Sequence, residues 1–492
     1  MKSNLERAST GIAGLDDVLM GGLPTNRLYL VQGSPGVGKT TMAMQFLREG
    51  VKQGEPVLYI TLSETREELE QVAESHGWTL DGINLHELSS MEEYLRLDAE
   101  NSVFHPSEVE LSETTKALLA LVERVNPRRV VFDSLSEMRL LARDPLRYRR
   151  QILALKQFFV GRGCTVMLLD DLSADVSDTH LESITHGVIY LEQSSNLYGG
   201  DRRRLRVQKL RSVNFRSGFH DMSMEKGGLI VYPRLVASEH RRKVEEAILS
   251  SGIPELDEML GGGIDLGVST LLMGPAGSGK STLSTKFAVT MADMGHRVAM
   301  YLFEESPRTL YKRSEVLGMD LRGHVDAGRV SVSYIDPAEL SPGEFMHKVR
   351  TETQDQCAKI VIIDSLNGYL NAMPEERFLI LQLHELLAYL GQMSVSTFLV
   401  VAQHGMLGTN ANAPVDVSYL ADTVLLFRLY EHRGRLKQAI SILKRRGGEH
   451  DRSIRELLLE NGAIKVGKSL EGLRGVMTGV PIQEQVPEKL VG

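Results

Sequence analysis

The feature that most constrains how this chain can fold is a long internal repeat. Residues 9–41, STGIAGLDDVLMGGLPTNRLYLVQGSPGVGKTT, align without gaps on residues 250–282, SSGIPELDEMLGGGIDLGVSTLLMGPAGSGKST, at an offset of 241 residues. A repeat of this length is a domain duplication, because the units of solenoid proteins are only about 20–50 residues long. A Pro-containing and then charged stretch, residues 231–248, separates the copies. The sequence therefore predicts a first domain at residues 1–236, a linker at 237–247 and a second domain at 248–492.

The composition is that of an ordinary globular protein, with 42% apolar and 24% charged residues. No stretch approaches the roughly 18 uninterrupted apolar residues of a membrane span, and the N-terminal residues lack the apolar core of a signal peptide. Cys164 and Cys357 are predicted to be buried, reduced thiols rather than a disulfide or a metal site. These observations predict a cytoplasmic protein without a membrane segment. The net charge of −8 argues against a protein that coats nucleic acid.

Both copies show one order of apolar runs and amphipathic stretches. An apolar run leads into a Gly-rich loop and an amphipathic helix, a second run ends near acidic residues, and a third, RRVVFDS or KIVIIDS, ends in Asp. Strands that alternate with helices and are apolar throughout are typical of a parallel sheet covered on both faces. The predicted fold class is therefore α/β, with two tandem P-loop domains whose mostly parallel central sheets are flanked by helices.

Two phosphate-binding loops are the most specific motif of the chain. GSPGVGKT at 33–40 and GPAGSGKS at 274–281 match the pattern G-x-x-x-x-G-K-[ST], each between a predicted strand and a predicted helix. In such loops backbone N–H groups face phosphate oxygens, the lysine reaches the β- and γ-phosphates, and the hydroxyl binds Mg²⁺. A chance match is the alternative, and repetition in the same context argues against it. The predicted ATP contacts are Gly33, Gly36, Gly38, Lys39, Thr40 and Thr41, and in the second copy Gly274, Gly277, Gly279, Lys280, Ser281 and Thr282.

An aspartate ends the third apolar run of each copy. Asp133 and Asp364 fit the acid that helps to hold Mg²⁺ in this class of protein, together with the hydroxyls of Thr40 and Ser281. An aspartate that caps the following turn is the alternative. The regular order of loop and acids favours the magnesium interpretation.

A pair of glutamates follows the second apolar run of the second copy, where the first copy has Ser63 and Glu64. A carboxylate at this strand end can orient the attacking oxygen and accept its proton. Glu304, Glu305 and Glu64 are therefore predicted catalytic residues, alongside Lys39 and Lys280, and Glu304 is also a candidate metal ligand. Solvated acids that cap a helix are the alternative. Strand alternation predicts that the two neighbours point differently, and spacing alone does not say which is the base.

With these motifs in place, the chain resembles the KaiC family, the double-domain circadian-clock ATPases and autokinases of the RecA superfamily. The resemblance covers nearly the whole chain and includes both phosphate loops, FEES at 303–306, FDS, IDS, and the basic segments KLR and KRRGGEHD. It implies two RecA-like domains, a homohexamer of two stacked rings, and ATP bound between subunits. It also implies contacts with the neighbouring subunit's nucleotide from Lys209, Leu210 and Arg211 in one ring and from Lys444, Arg445 and Arg446 in the other.

The basic stretch DRRRLRVQKLR at 201–211 has two further interpretations. It could bind nucleic acid, or its upstream arginines could protect a strand edge from pairing. We rank contact with phosphate across a subunit interface first for Lys209 and Arg211, since a cation there neutralises charge on the transferred phosphoryl group.

Several positions depart from the family pattern. Ser63 stands where the first domain of clock members has an acid, and a serine cannot act as a carboxylate base near neutral pH, which puts first-domain hydrolysis in doubt. The phosphorylated Ser-Thr pair of clock members corresponds here to Ser418 and Tyr419, so Ser418 is the predicted acceptor, with Tyr419 as a second acceptor or a packing residue. In the predicted adenine pockets, Ser75 matches the first-domain pattern, whereas Leu317 replaces an aromatic residue.

These features predict a KaiC-like ATPase and serine autokinase that forms a regulatory, timekeeping hexamer. Candidate partners are a KaiB-like protein or signalling proteins. KaiA is not expected, because the chain carries little beyond the regulatory segment. A RecA-like DNA-handling motor is one alternative, although the segment GMLGTNANAPVD at 405–416 carries no cation. A nucleotide-gated scaffold with weak catalysis is the other.

Overall fold

The computed structural model describes residues 5–87, 119–142, 144–172, 179–195, 199–240, 245–371, 379–403, 418–460, 463–478 and 482–483. The chain divides into two compact units, residues 1–234 and 235–492. Part of the predicted linker, the segment 405–416 and most of the C-terminal regulatory segment lie outside the described residues, so the predictions made for them stay predictions.

The first unit contains strands that alternate with helices up to Ile184 and then run as consecutive hairpins. Its strands are β1 Arg7–Ala8, β2 Leu23–Pro24, β3 Leu28–Gly33, β4 Val57–Thr61, β5 Ile83–Glu87, β6 Arg129–Asp133, β7 Thr165–Asp171, β8 Gly187–Ser194, β9 Arg202–Leu210, β10 His220–Glu225 and β11 Gly228–Tyr232. Its helices are Ala13–Val18, Lys39–Lys52, Arg66–Ser75, Leu135–Ala142, Pro145–Val160 and Thr179–Ile184, followed at the start of the second unit by a 3-10 turn at Ala237–His240.

The second unit repeats this arrangement. Its strands are β12 Ile248–Leu249, β13 Ile264–Asp265, β14 Ser269–Gly274, β15 Val298–Leu302, β16 Val330–Tyr334, β17 Ile360–Asp364, β18 Ser396–Ala402, β19 Thr423–His432, β20 Arg435–Arg445, β21 Arg455–Glu460, β22 Ala463–Ser469, β23 Leu473–Arg474 and β24 Ile482–Gln483. Its helices are Pro254–Met259, Lys280–Asp293, Pro307–Val316, Leu321–Asp326, Pro342–Gln354, Leu366–Asn371 and Leu379–Gln392, with a 3-10 turn at Val476–Thr478.

Among the described residues, each unit is built on one nine-stranded sheet. The orders are β11-β10-β9-β8-β3-β7-β6-β4-β5 and β22-β21-β20-β19-β14-β18-β17-β15-β16, so the two sheets have the same topology. The six strands from β5 to β8 are parallel, and the strands beyond β8 are antiparallel. The predicted α/β class with mostly parallel central sheets is therefore confirmed. Helices accompany such sheets because buried apolar strands need cover on both faces.

Strand register brings the predicted site residues to one edge of each sheet. Gly33, which ends β3, pairs with Asp171, which ends β7, and Thr61 of β4 pairs with Asp133 of β6. In the second unit Gly274 pairs with Ala402, and Leu302 pairs with Asp364. In open parallel sheets, ligands bind at the carboxyl ends of the strands.

Each phosphate-loop helix begins after a glycine that no other residue could replace without strain. Gly38 has a φ of +111°, and a Cβ on it would lie 2.6 Å from Cε of Met224. Gly279 has a φ of +99°, and a Cβ on it would lie 3.0 Å from Leu457. Both glycines are needed because φ is positive and because a side chain packs against the loop.

Apolar side chains fill both faces of each sheet. Cys164 is buried as predicted, but Cys357 is exposed, so the burial prediction for Cys357 is wrong. Cys357 follows the C-terminal end of the helix Pro342–Gln354 in a turn with φ of +58° and precedes β17, outside the apolar run. Within the described ranges, no helix has both the length and the apolar character required to cross a bilayer.

Candidate functional site

The two phosphate-loop lysines fold back onto the loops that carry them. Lys39 Nζ donates to the carbonyls of Gly33 and Ser34, at 2.9 Å each. Lys280 Nζ donates to the carbonyls of Gly274 and Pro275, at 2.8 and 2.7 Å. Both side chains are less than 9% exposed. Burial lowers the pKa of Lys280 to about 8. An anion bound beside the amine would favour its charged form.

A hydroxyl and a carboxylate meet beside each loop. Thr40 Oγ1 donates to Asp133 Oδ2 at 3.1 Å, and Ser281 Oγ donates to Asp364 Oδ1 at 3.1 Å. Asp133 also accepts from the Tyr59 hydroxyl at 2.6 Å. Burial raises the pKa of Asp133, and it raises the pKa of Asp364 to about 6. The sequence-predicted pairs are therefore brought together in both units.

These pairs fit a Mg²⁺ ion that takes its other ligands from phosphate and water. Asp364 Oδ2 is buried and has no hydrogen-bond partner among the described residues, so one carboxylate oxygen is left for a cation. The described residues contain no cluster of three or more histidine, cysteine, aspartate or glutamate side chains that could enclose a metal alone. Mg²⁺ in nucleotide sites is commonly held by one or two protein oxygens together with phosphates.

The second unit collects most of its predicted residues around one cavity of about 430 Å³, within the size range of ligand pockets. It is lined by Gly277, Ser278, Gly279, Lys280, Ser281, Thr282, Glu304, Glu305, Arg313, Asp364 and Leu459. The cavity therefore contains the phosphate loop, the metal pair and the acidic pair together.

The adjacent glutamates of the second unit have different partners, as predicted, although both lie beyond the end of β15 and strand alternation is not the cause. Glu304 Oε1 accepts a hydrogen bond from Ser365 Oγ at 2.9 Å. Glu305 is held by Arg313, whose Nη2 and Nε donate to its two oxygens at 2.6 and 3.3 Å. Arg313 Nη1 also donates to Thr282 Oγ1 at 3.2 Å. The guanidinium therefore neutralises Glu305, and Glu304 has no ion pair within the described residues.

Glu64 occupies the position of Glu305 in the first unit, but its surroundings differ. Val72 stands at the position of Arg313, and Glu64 Oε2 is buried without a hydrogen-bond partner in the described part of the chain. Burial, with smaller contributions from Asp133, Glu68 and Asp171, raises the pKa of Glu64 to about 7. At neutral pH this carboxyl is divided between its charged and neutral forms.

The structure adds two residues that the sequence analysis missed in these pockets. Arg313 lies on the helix Pro307–Val316, which follows Glu305, and contacts Glu305 from there. Asp171 forms an ion pair with Lys39, with 2.6 Å between Oδ1 and Nζ. The strand end LLDD in the first copy, against LVVA in the second, was the available signal.

Residues near the predicted adenine sites are placed as follows. Ser75 is exposed and its hydroxyl donates to the Val72 carbonyl at 2.7 Å. The next residue, His76, lies closer to the loop, with Nε2 3.5 Å from Thr41 Oγ1, and its ring lies 4.8 Å from that of Trp78. His76 is therefore a further site residue, and it occupies the position that Leu317 has in the second unit.

The predicted cations of the first unit bind carbonyl groups of the helix Thr179–Ile184. Lys209 Nζ donates to the Glu182 carbonyl, and Arg211 Nη2 donates to the Ser183 carbonyl at 2.8 Å. Leu210, between them, is 7% exposed and packs into the core.

The cations of the second unit repeat this geometry on the turn that carries the predicted phosphoacceptors. Lys444 Nζ donates to the Ser418 and Ala421 carbonyls at 3.1 and 2.7 Å, and Arg446 Nη2 donates to the Tyr419 carbonyl at 2.9 Å. Arg445 points elsewhere and pairs with Asp265 at 3.0 Å.

The two predicted acceptors differ in exposure. Ser418 is half-buried, and the Tyr419 side chain is 55% exposed within this chain. Tyr419 therefore does not pack into the core of its own unit.

Comparison with known proteins places this geometry in a family. The model of the family "ATPase: KaiC" matches residues 8–236 and again residues 249–471. Similar proteins include the circadian clock oscillator protein KaiC of Parathermosynechococcus lividus, 29% identical over 99% of this chain and 90% of its own length. The KaiC proteins of Parasynechococcus marenigrum (strain WH8102) and Thermostichus vulcanus are 26% and 27% identical over 99% of this chain and 95% and 94% of theirs. The chain therefore belongs to the KaiC family of ATPases, and the predicted family membership is confirmed.

Proposed function

We propose that the protein is an ATP-binding ATPase and serine autokinase that works in a regulatory, timekeeping homohexamer of two stacked rings. The observation that carries the proposal is the cavity of the second unit, where Lys280, the Ser281–Asp364 pair and Glu304 face one space of about 430 Å³. The names of the relatives, which describe circadian clock oscillator proteins, support the timekeeping part.

Each residue of this cavity has a separate role in the proposed phosphoryl transfer. Lys280 holds the β- and γ-phosphates, for which it exchanges its two carbonyl partners. Ser281 and Asp364 would hold Mg²⁺, which would neutralise the charge that develops on the phosphoryl group. Glu304 accepts the proton of the attacking hydroxyl. Ser365 orients the Glu304 carboxylate through the 2.9 Å hydrogen bond from its hydroxyl. Glu305 stays with Arg313, so the pair contributes one base rather than two.

The acceptor of the phosphoryl group is Ser418 of a neighbouring subunit. Lys444 and Arg446 support this assignment, because both donate to carbonyls of the turn that contains Ser418. In the proposed ring, these cations at the end of β20 would also contact a nucleotide bound by the neighbour. A cation placed there stabilises the charge of the transferred group.

The first unit contributes nucleotide binding and assembly more than chemistry. Ser63 replaces an acid, and Glu64 is the acid of the pair that remains, partly protonated at neutral pH. This asymmetry predicts that Lys39→Ala impairs assembly, whereas Lys280→Ala impairs phosphorylation.

The proposal is tested by mass spectrometry of the full chain after incubation with and without ATP and Mg²⁺. We expect phosphate on Ser418, and we expect Glu304→Gln to bind ATP while incorporating phosphate about 10²–10⁴-fold more slowly, the usual contribution of a positioned base. Light scattering checks that Glu304→Gln assembles like the wild-type chain, so that its loss is specific to the base; Lys39→Ala is expected to lose incorporation together with assembly. Absence of phosphate from residues 413–423 would remove the kinase assignment and leave an ATPase scaffold.

A further inference from the structure

We propose that Asp171 competes with nucleotide phosphate for Lys39 and so lowers the affinity of the first site for ATP. The inference rests on the proposed function, in which Lys39 receives the phosphates. Asp171, which lies outside the loop and outside the acidic pair, would thereby determine the affinity of this site for nucleotide.

The geometry places the carboxylate on the amine that the phosphates need. Asp171 Oδ1 lies 2.6 Å from Lys39 Nζ, and the lysine side chain is 8% exposed, whereas Asp171 is 38% exposed. Asp171 reaches this point because β7 pairs with β3 in a register that sets Asp171 opposite Gly33, the first residue of the loop. A phosphate oxygen and this carboxylate oxygen would therefore accept from the same donor, the Lys39 amine.

Contacts of the strand end with Ser136 and Arg139 hold Asp171 in this position. Its backbone N–H donates to Ser136 Oγ at 3.1 Å, and the Ser136 hydroxyl lies 3.4 Å from Asp171 Oδ2. The preceding residue, Asp170, is buried and receives two hydrogen bonds from Arg139 Nη2, at 2.9 and 2.8 Å. The strand end is thus fixed at two successive residues, and the carboxylate is presented to Lys39 by a rigid support.

The second unit is a natural comparison, because the same position carries no charge. Ala402 pairs with Gly274 as Asp171 pairs with Gly33. Asn367 fixes that strand end, accepting from the Ala402 N–H at 2.7 Å and donating to its carbonyl at 2.9 Å. Among the described residues, Lys280 has carbonyl partners and no ion pair. The two sites therefore differ in whether the lysine is already neutralised before nucleotide arrives.

The size of the effect follows from the exposure of the pair. A carboxylate about one-third exposed contributes an ion pair of roughly 1 kcal/mol, well below the value of a fully buried pair. Because every 1.4 kcal/mol corresponds to tenfold in a binding constant, we expect the competition to weaken first-site affinity about five- to tenfold. Glu64 and Asp133 add to the negative charge around Lys39, since burial raises the pKa of both carboxyls while the Lys39 charge lowers it.

The experiment measures binding of a fluorescent, non-hydrolysable ATP analogue with Mg²⁺ to the full chain. Lys280→Ala isolates the first site, and Lys39→Ala isolates the second. We expect Asp171→Ala to tighten first-site binding about five- to tenfold, and Ala402→Asp to weaken second-site binding by a similar factor. Asp171→Asn keeps the shape and the contact with Ser136 but removes the charge, so it should behave like Asp171→Ala.

Each outcome decides a different question. Tighter binding in both Asp171 variants supports competition, and unchanged or weaker binding in them overturns it. If the first site binds no analogue in the Lys280→Ala chain with or without an Asp171 substitution, the proposed nucleotide site itself fails. Fluorescence of Trp78 reports whether each variant is folded in the first unit.

Discussion

His220 predicts an acid-sensitive first unit. The ring is fully buried at the start of β10, where Nδ1 accepts from the Arg234 N–H at 2.8 Å and Nε2 lies 3.0 Å from the Arg216 carbonyl. Nδ1 must be unprotonated to accept, so the neutral ring with its proton on Nε2 fits the site. Burial lowers the pKa of His220 from 6.5 to about 4. The hydrogen bond to Arg216 opposes this shift, the Arg216 and Arg234 charges add to it, and the Asp221 charge opposes it.

The magnitude follows from the two pKa values. The unfolded chain binds the proton more tightly than the folded chain, so stability is lost as pH falls from 6.5 toward 4 and is fully present above 6.5. With these values, acidification from about pH 7.5 to about pH 5 costs the first unit about 2 kcal/mol through His220 alone. The loss approaches about 3 kcal/mol below pH 4, as expected for a shift of about 2.5 units.

The assay uses a reporter that the chain supplies. Trp78 is the single tryptophan of the sequence and is 7% exposed in the first unit, so its fluorescence follows unfolding of that unit by urea. His220→Gln removes the titrating ring and serves as the matched control. We expect the wild-type free energy of unfolding to fall by about 2 kcal/mol more than that of the variant between these two pH values. Equal pH dependence in the two proteins would refute the reasoning.

Three further predictions concern other side chains. Arg129→Met should destabilise the first unit by about 3 kcal/mol in the same urea assay, because Arg129 is 1% exposed and donates to two backbone carbonyls and to Glu55; a change below about 1 kcal/mol would contradict it. Arg313→Gln should weaken binding of the ATP analogue at the second site about tenfold, because Glu305 is left unneutralised in the cavity; unchanged affinity would exclude that role. Tyr419→Phe should leave phosphate incorporation unchanged in mass spectra, and a large loss would make Tyr419 an acceptor.

The fold was predictable because its signals are local in sequence. Runs such as VVF at 130–132 and IVII at 360–363 are apolar at every position, as strands covered on both faces require, and they recur in one order after each phosphate loop. The contacts of Thr40 with Asp133 and of Ser281 with Asp364 could be predicted from the same order. In each contact the hydroxyl belongs to the first turn of the helix after the phosphate loop, and the aspartate ends a strand.

The remaining features depend on contacts that no local pattern fixes. The ion pair of Lys39 with Asp171 needs the pairing of β7 with β3, and the chain order does not state which strands are neighbours. The sequence predicted that Glu304 and Glu305 point differently, but it did not identify their partners. Arg313 lies on a helix, and Ser365 follows the end of another strand. Cys357 shows the converse error, since an apolar neighbourhood in sequence did not place it inside.

The carbonyl contacts of Lys444 and Arg446 couple the turn at Ser418–Ala421 to any ligand that these two cations bind. These side chains tie the end of β20 to the turn at Ser418–Ala421, so any ligand that recruits them must do so at the expense of that turn. Thermodynamic linkage makes such an exchange reciprocal: whatever the ligand does to the turn, the turn does to the affinity for the ligand, with the same coupling free energy. A phosphate on Ser418, which adds about two negative charges beside Lys444, would therefore be registered as a change in ligand affinity at the strand end.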